Sequence, residues 1–312
     1  MFELKKNKVS VKKISSFLKS DYRGKNFNVT SVSSLNNIKN NSILFFSEHS
    51  NTKYKIKDTV IYDLKKLNDF KNIVIIATKE FKKKTDIPVI VSKNPKLDFS
   101  RVILEFFTND EFKSGIHDTA IIESNSIIGK DVYIGPHCYI GNNVKIGDKT
   151  KIFNNTSIFG DTKIGPNSVI LSNTIIGSEG FGFGITKEGF FHFPHVGSIV
   201  IGKNVWIGPN TTIEKSTIDK TIIEDDVTID TLVNIGHNTV IKKSTMITAG
   251  SIICGRVKIG RNCLIAPNSV IDVGCEIGDN SVVGTSSLVR SNFKKNSIIV
   301  GSPAKLLRKN TN

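Results

Sequence analysis

The 312-residue sequence contains no run of about twenty apolar residues, which excludes a membrane-spanning helix of ordinary length. Its opening, Met1-Phe2-Glu3-Leu4-Lys5-Lys6, has neither the apolar stretch nor the small-residue cleavage site of a secretory leader, so a cytoplasmic location is expected. Cysteine is scarce. Cys138, Cys254, Cys263 and Cys275 form no CxxC pair and have no histidine at zinc-ligand spacing. No metal site is therefore expected, and the thiols should be free and buried or half-buried. Helix–turn–helix, zinc-finger and RNP-type aromatic motifs are also missing, so nucleic acid is not the expected partner despite a net charge of +15. Most of that charge falls in residues 1–112, where it would equally attract an anionic small molecule or an acidic protein.

What is abundant is isoleucine at a fixed interval. From Ile116 every sixth residue is isoleucine through Ile176, and the phase resumes at Ile201, Ile207 and Ile213. It then shifts once and continues from Ile223 through Ile277 to Val283 and Val289. A coiled coil needs a period of 3.5 and an amphipathic helix 3.6, so neither fits. A hexapeptide repeat reads as a short strand and a turn, three of which make one triangular coil. The expected fold is mainly β: a left-handed parallel β-helix, an exception to the usual right-handed crossover. Glycine often follows the isoleucine, as in Ile134-Gly135, Ile207-Gly208 and Ile259-Gly260, and Asn and Asp crowd the same stretches. Both features suggest corners that need positive φ.

Two departures break the repeat. Residues 178–198, with Gly180-Phe181-Gly182-Phe183-Gly184 and Phe190-Phe191-His192-Phe193-Pro194-His195, read as a loop projecting from the prism. The phase slip between Ile213 and Ile223 should bulge at a corner. Residues 1–112 lack hexads and read as a small α/β domain. Val11, Ile14, Phe17 and Leu18 have helical spacing, residues 59–62, 72–76 and 88–91 look like strands, and 98–107 looks like a helix. The prism would span 113–290, and 291–312 would be a short basic tail able to cap its open end.

Among the histidines (His49, His117, His137, His192, His195 and His237), only His237 lies in the long uninterrupted run of hexads. Two residues after the inward Ile235, it should sit at a corner, where a histidine can accept a proton at neutral pH. Position alone does not separate it from an idle surface histidine. Asp230, seven residues earlier, is a candidate carboxylate to orient the ring, or an ordinary turn aspartate. Gly255 follows His237 by eighteen residues, one full coil, which would bring a bare N–H beside it as an oxyanion donor; otherwise it is a turn glycine. The tandem glycines lack strand–loop–helix context, so they are not a phosphate-cradling P-loop.

At these residues the sequence resembles the UDP-3-O-(3-hydroxyacyl)glucosamine N-acyltransferase family of lipid A biosynthesis. Val32-Ser33-Ser34-Leu35 with Ser42-Ile43-Leu44-Phe45-Phe46 resembles its uridine-binding domain, and Gly115-Ile116-His117 its entry into the β-helix. Glu179-Gly180-Phe181-Gly182-Phe183 and His192-Phe193-Pro194-His195-Val196-Gly197 resemble its substrate loop. Asn210-Thr211-Thr212-Ile213, Asp230 and Ile235-Gly236-His237-Asn238 resemble its catalytic stretch. Glu214-Lys215-Ser216 stands where the family has Asp-Arg-Gly, and Gly274 where many members carry a second histidine. The resemblance implies a cytoplasmic homotrimer that moves a 3-hydroxyacyl chain from acyl carrier protein to the 2-amine of UDP-3-O-acylglucosamine, without a metal or other cofactor. It implies His237 as base, Asp230 as its partner and Gly255 as oxyanion donor. Phe46, Phe181, Gly182, Phe183, His192, His195 and Asn238 would contact substrate. Two alternatives stay open: a coenzyme A-dependent acyl- or acetyltransferase on another nucleotide sugar, and a non-catalytic β-helix module.

Overall fold

The computed structural model describes residues 2–5, 7–47, 64–83, 85–110 and 112–310. Two compact units divide the chain, Met1–Phe112 and Lys113–Asn312. The expected strand at 59–62, and His49, lie outside the described residues.

The second unit is the left-handed parallel β-helix. Each hexad supplies a two-residue strand, and three strands complete a turn before the chain climbs one level. Face one begins with Gly115–Ile116, face two with Ile121–Ile122 and face three with Ile127–Ile128; the sheets hold eleven, nine and eight strands. Along face one Ile134 pairs with Ile152, Ile152 with Ile170, Ile170 with Ile207 and Ile207 with Ile229. The repeated residue therefore stacks on its own kind. These side chains form one continuous core in which Ile134 through Ile271 are almost wholly buried. Each such burial stabilises the fold by about 1.5–3 kcal/mol.

A second column supports the first. Two positions before many of the isoleucines stand Thr150, Thr156, Thr239, Thr245 and Ser269, all buried. Their hydroxyls donate to corner carbonyls of the next level: Thr150 to Gly165 (3.1 Å), Thr245 to Gly260 (2.7 Å) and Ser269 to Gly284 (2.9 Å). Cys138 and Cys263 occupy the same position, their Sγ atoms lying 3.0 Å from the Phe153 carbonyl and 3.3 Å from that of Gly278. All four cysteines are free, and burial raises the Cys138 and Cys263 thiols above the ordinary thiol value.

The corners behave partly as the sequence suggests. Asn143, Asn155, Asn167, Asn210, Asn238 and Asn268 all have positive φ, as do Asp131, Asp161 and Asp226. The glycines that follow isoleucine are there for another reason. Gly135, Gly208, Gly236 and Gly260 are absent from the positive-φ residues. A Cβ on Gly208 would lie 2.4 Å from the Asp230 carbonyl carbon, and one on Gly236 2.6 Å from the Gly255 nitrogen. Close approach of the next level requires them, not backbone handedness. At the far end Ser297–Gly301 adds to face one in parallel, and Ala304–Lys309 folds back antiparallel along it. The exposed charges Lys305, Arg308 and Lys309 blunt that edge.

The first unit is α/β. Strands Ser31–Val32, Ser42–Phe45, Val74–Ala77 and Val89–Val91 form a parallel sheet in that order. Ser10 caps helix Val11–Phe17 through the Lys13 N–H. Helix Pro95–Val102 is capped by Asn94 and passes into a wider turn at Ile103–Phe107. Separate apolar clusters contain Ile43, Ile76 and Ile90 on the one hand, and Leu44, Ile75 and Val89 on the other.

Candidate active site

The two departures from the hexad fall at the same corner, in consecutive coils. Residues 179–197 leave the prism between Ile175–Ser178 on face two and Ser198–Ile201 on face three. The slip lies between Thr212–Glu214 on face two and Lys220–Ile223 on face three, one level on. His237 and Asn238 follow Asn234–Ile235 at that corner in the next coil, and Gly255 in the one after. Irregularity and candidate chemistry thus share one edge of the prism.

The insertion is a β-hairpin, Phe183–Thr186 against Gly189–His192, with Phe183 opposite His192. The slip fastens its return to the prism. Val196 N–H donates to the Thr217 carbonyl (2.8 Å), Gly197 to Ser216 (2.9 Å) and Ser198 to Asp219 (3.0 Å).

A chain of hydrogen bonds selects the tautomer of a neutral His237 ring. Asn238 Oδ1 accepts from the Thr217 backbone N–H (3.1 Å) and hydroxyl (3.0 Å), and lies 2.9 Å from His237 Nδ1. A backbone N–H can only donate, so the oxygen of the amide must face this junction. Nδ1 therefore carries the proton when the ring is neutral, which leaves the Nε2 lone pair free. A Cβ on Gly255 would lie 2.6 Å from Nε2, so only glycine leaves room for the ring there. The His237 backbone N–H donates to Glu214 Oε2 (3.1 Å). Gly255 occupies the equivalent corner position one level on, and its nitrogen lies close to Gly236 of the His237 coil, 2.6 Å from where a Cβ there would stand.

Beneath the hairpin lies His195, 1 % exposed. Its ring meets that of His237 edge to face, with centroids 4.9 Å apart and an interplanar angle of 77°. Gly180 and Gly182 make room for it: Cβ atoms there would stand 2.7 Å from His195 Nε2 and 2.6 Å from Cε1. That explains the tandem glycines. Burial, then the nearby His237 charge, lowers the His195 pKa below the ordinary imidazole value. Its backbone N–H donates to Glu179 Oε1 (2.8 Å), and this bond holds the Glu179 carboxyl below the ordinary carboxylate value. His192 Nε2 lies 3.4 Å from the same oxygen. Phe183 packs between Phe181 and His192, and Phe181 stands 83 % exposed.

Two sequence-derived candidates lie elsewhere within the chain. Asp230 sits at the corner from face one to face two, exposed, with its carboxylate taking the Thr231 N–H (2.7 Å). Within the chain the group at His237 Nδ1 is the side-chain oxygen of Asn238, the residue next to it. Phe46 belongs to the first unit and stacks on Phe81, centroids 4.4 Å apart. Glu214, Thr217 and Gly180 enter the site unanticipated. Among the described residues no three His, Cys, Asp or Glu side chains gather as metal ligands.

This architecture is matched by solved structures. LpxA from Acinetobacter baumannii superposes with a TM-score of 0.58 at 27% identity, over 62% of this chain and 74% of that one. A Francisella novicida UDP-N-acetylglucosamine acyltransferase gives 0.59 at 25%, over 63% and 71%. The bacterial transferase hexapeptide model (six repeats) matches residues 238–273 and 256–291, and the GMPPB C-terminal domain model matches 116–180. The chain is thus a hexapeptide-repeat protein with the left-handed β-helix of these acyltransferases.

Its sequence relatives narrow the likeness to UDP-3-O-acylglucosamine N-acyltransferase. UDP-3-O-acylglucosamine N-acyltransferase 2 of Legionella pneumophila (strain Lens) is 40% identical over 129 residues, 41% of this chain and 38% of that protein. The Saccharophagus degradans UDP-3-O-acylglucosamine N-acyltransferase is 50% identical over 84 residues, 27% of this chain and 23% of the other. The matches span about two fifths or less of the length of these curated relatives. The resemblance drawn from the sequence motifs agrees with them.

Proposed function

We propose that this chain is a cytoplasmic N-acyltransferase of lipid A biosynthesis, moving a 3-hydroxyacyl chain from acyl carrier protein to the 2-amine of UDP-3-O-acylglucosamine. The observation that carries this reading is the free Nε2 of His237, fixed by the Thr217–Asn238–His237 chain beside Gly255. The amine nitrogen attacks the thioester carbonyl, and Nε2 takes the proton that it loses as the C–N bond forms. The Gly255 N–H faces the oxyanion of the tetrahedral intermediate. The C–S bond then breaks, His237 returns its proton to the departing thiolate, and amide and thiol leave. This step needs no metal or other cofactor.

The exposed aromatics Phe181, Phe183, Phe190 and Phe191 give an apolar surface suited to an acyl chain or to a neighbouring copy in a homotrimer. The face of Phe46 turned away from Phe81 is offered to the uracil ring. Purified protein supplied with UDP-3-O-acylglucosamine and either carrier-protein or coenzyme A thioesters tests the reading. Turnover with the carrier-protein donor supports it. Turnover with coenzyme A alone favours a different nucleotide-sugar acyltransferase, and none with either donor favours a binding module. His237→Ala should lower kcat by roughly 10²–10⁴.

A further inference from the structure

We infer that His195 is a positioning residue for His237: its ring holds the His237 imidazole at its working tilt and keeps water from the side of it that His195 covers. This inference rests on His237 being the base.

The observations are geometric. His195 is among the least exposed polar residues of the chain, yet neither ring nitrogen has a hydrogen-bond partner among the described residues. Burial, with the nearby His237 charge, outweighs the Phe193 carbonyl, Glu179 and Glu214, which favour the charged form, so the ring is held toward neutrality. What locates the ring is not its nitrogens. It is seated between Gly180 and Gly182, while Glu179 holds its backbone N–H. The ring is then laid edge to face on His237, whose other contacts are Asn238 at Nδ1 and Glu214 at its backbone N–H. Three elements thus converge to place one aromatic body behind a reactive one. The charged and titratable groups facing it are His237, Glu179 from the start of the insertion, and Glu214 from the adjacent level.

Removing that body should open the His237 ring to water and let it leave its tilt. His195→Ala should therefore lower kcat by about 10- to 100-fold with little change in KM, as expected when a reacting group is misplaced. His195→Phe, which keeps a ring of similar span but cannot titrate, should restore it. A second readout needs no substrate: carbethoxylation of His237 by diethylpyrocarbonate at pH 8, followed by peptide mass spectrometry. It should run severalfold faster in His195→Ala and at the wild-type rate in His195→Phe. Gly182→Ala, which displaces the ring without deleting it, should resemble His195→Ala.

Wild-type kcat and labelling rate in His195→Ala would overturn the inference. So would a His195→Phe protein as impaired as His195→Ala, since the nitrogens would then matter and not the ring. Either result alongside an inactive His237→Ala leaves the base assignment standing. Full turnover by His237→Ala removes the base itself.

Discussion

Two corners of the same prism show what the hexad dictates and what it leaves open. At the corner from face one to face two, Gly208 lies against the Asp230 backbone and Asp230 takes the next N–H along the chain. At the corner from face two to face three the same levels carry a hairpin, a slip, a paired histidine and asparagine, and Gly255. Both corners are built from similar residue types, so composition does not distinguish them. The difference lies in what stacks above and below. A solenoid can lengthen one corner in successive coils without disturbing its core, and the departures then become neighbours in space.

This contrast can be broken by substitution. Gly255→Ala would place a Cβ against the movable His237 ring, so the fold should survive while kcat falls by roughly 10²-fold, the scale expected when a reacting group is displaced. Gly208→Ala would place its Cβ against backbone, which must shift. That variant should lose about 1–3 kcal/mol in urea unfolding with turnover near normal. If Gly208→Ala impaired turnover and Gly255→Ala did not, the division between the corners would fail.

Acid sharpens it further. The Glu179 pKa is lowered by its bond to the His195 N–H, so its contribution is present above the ordinary carboxylate value and fades as pH falls through the lowered one. The lowered His195 pKa acts in the same direction, opposing protonation in the folded state as pH falls below the ordinary imidazole value. Hydrogen exchange should therefore show residues 179–197 loosening on acidification before the rest of the prism, and Glu179→Gln should remove the carboxylate part of that response. The smallest effect is expected within the hydroxyl column. Cys138→Ser keeps a donor toward the Phe153 carbonyl and should change stability by less than about 1 kcal/mol. Cys138→Ala should be the more damaging of the two.

Much of the fold was legible because a period of six has few structural solutions. The isoleucine columns, the parallel α/β strands near residues 74–77 and 89–91, and the asparagine corners follow from residue type and spacing. The role of the glycines was not legible, since a glycine needed for close approach looks in sequence like one needed for positive φ. His237 and Gly255 meet because eighteen residues make a level. Asp230 precedes His237 by seven residues, about one face, and so lies at a different corner. Asn238 was quoted as a substrate contact, yet its orienting part depends on Thr217, which the slip alone delivers. The shared corner could have been found by noting that insertion, slip and His237 each follow a strand of the same face.

The amide that steers His237 has a consequence for traffic through the ring. Unlike a carboxylate, Asn238 can neither absorb a hydrogen ion nor share one, so whatever lands on the far nitrogen must depart from that same nitrogen. On the proposed mechanism, attack and expulsion are thereby tied to one atom.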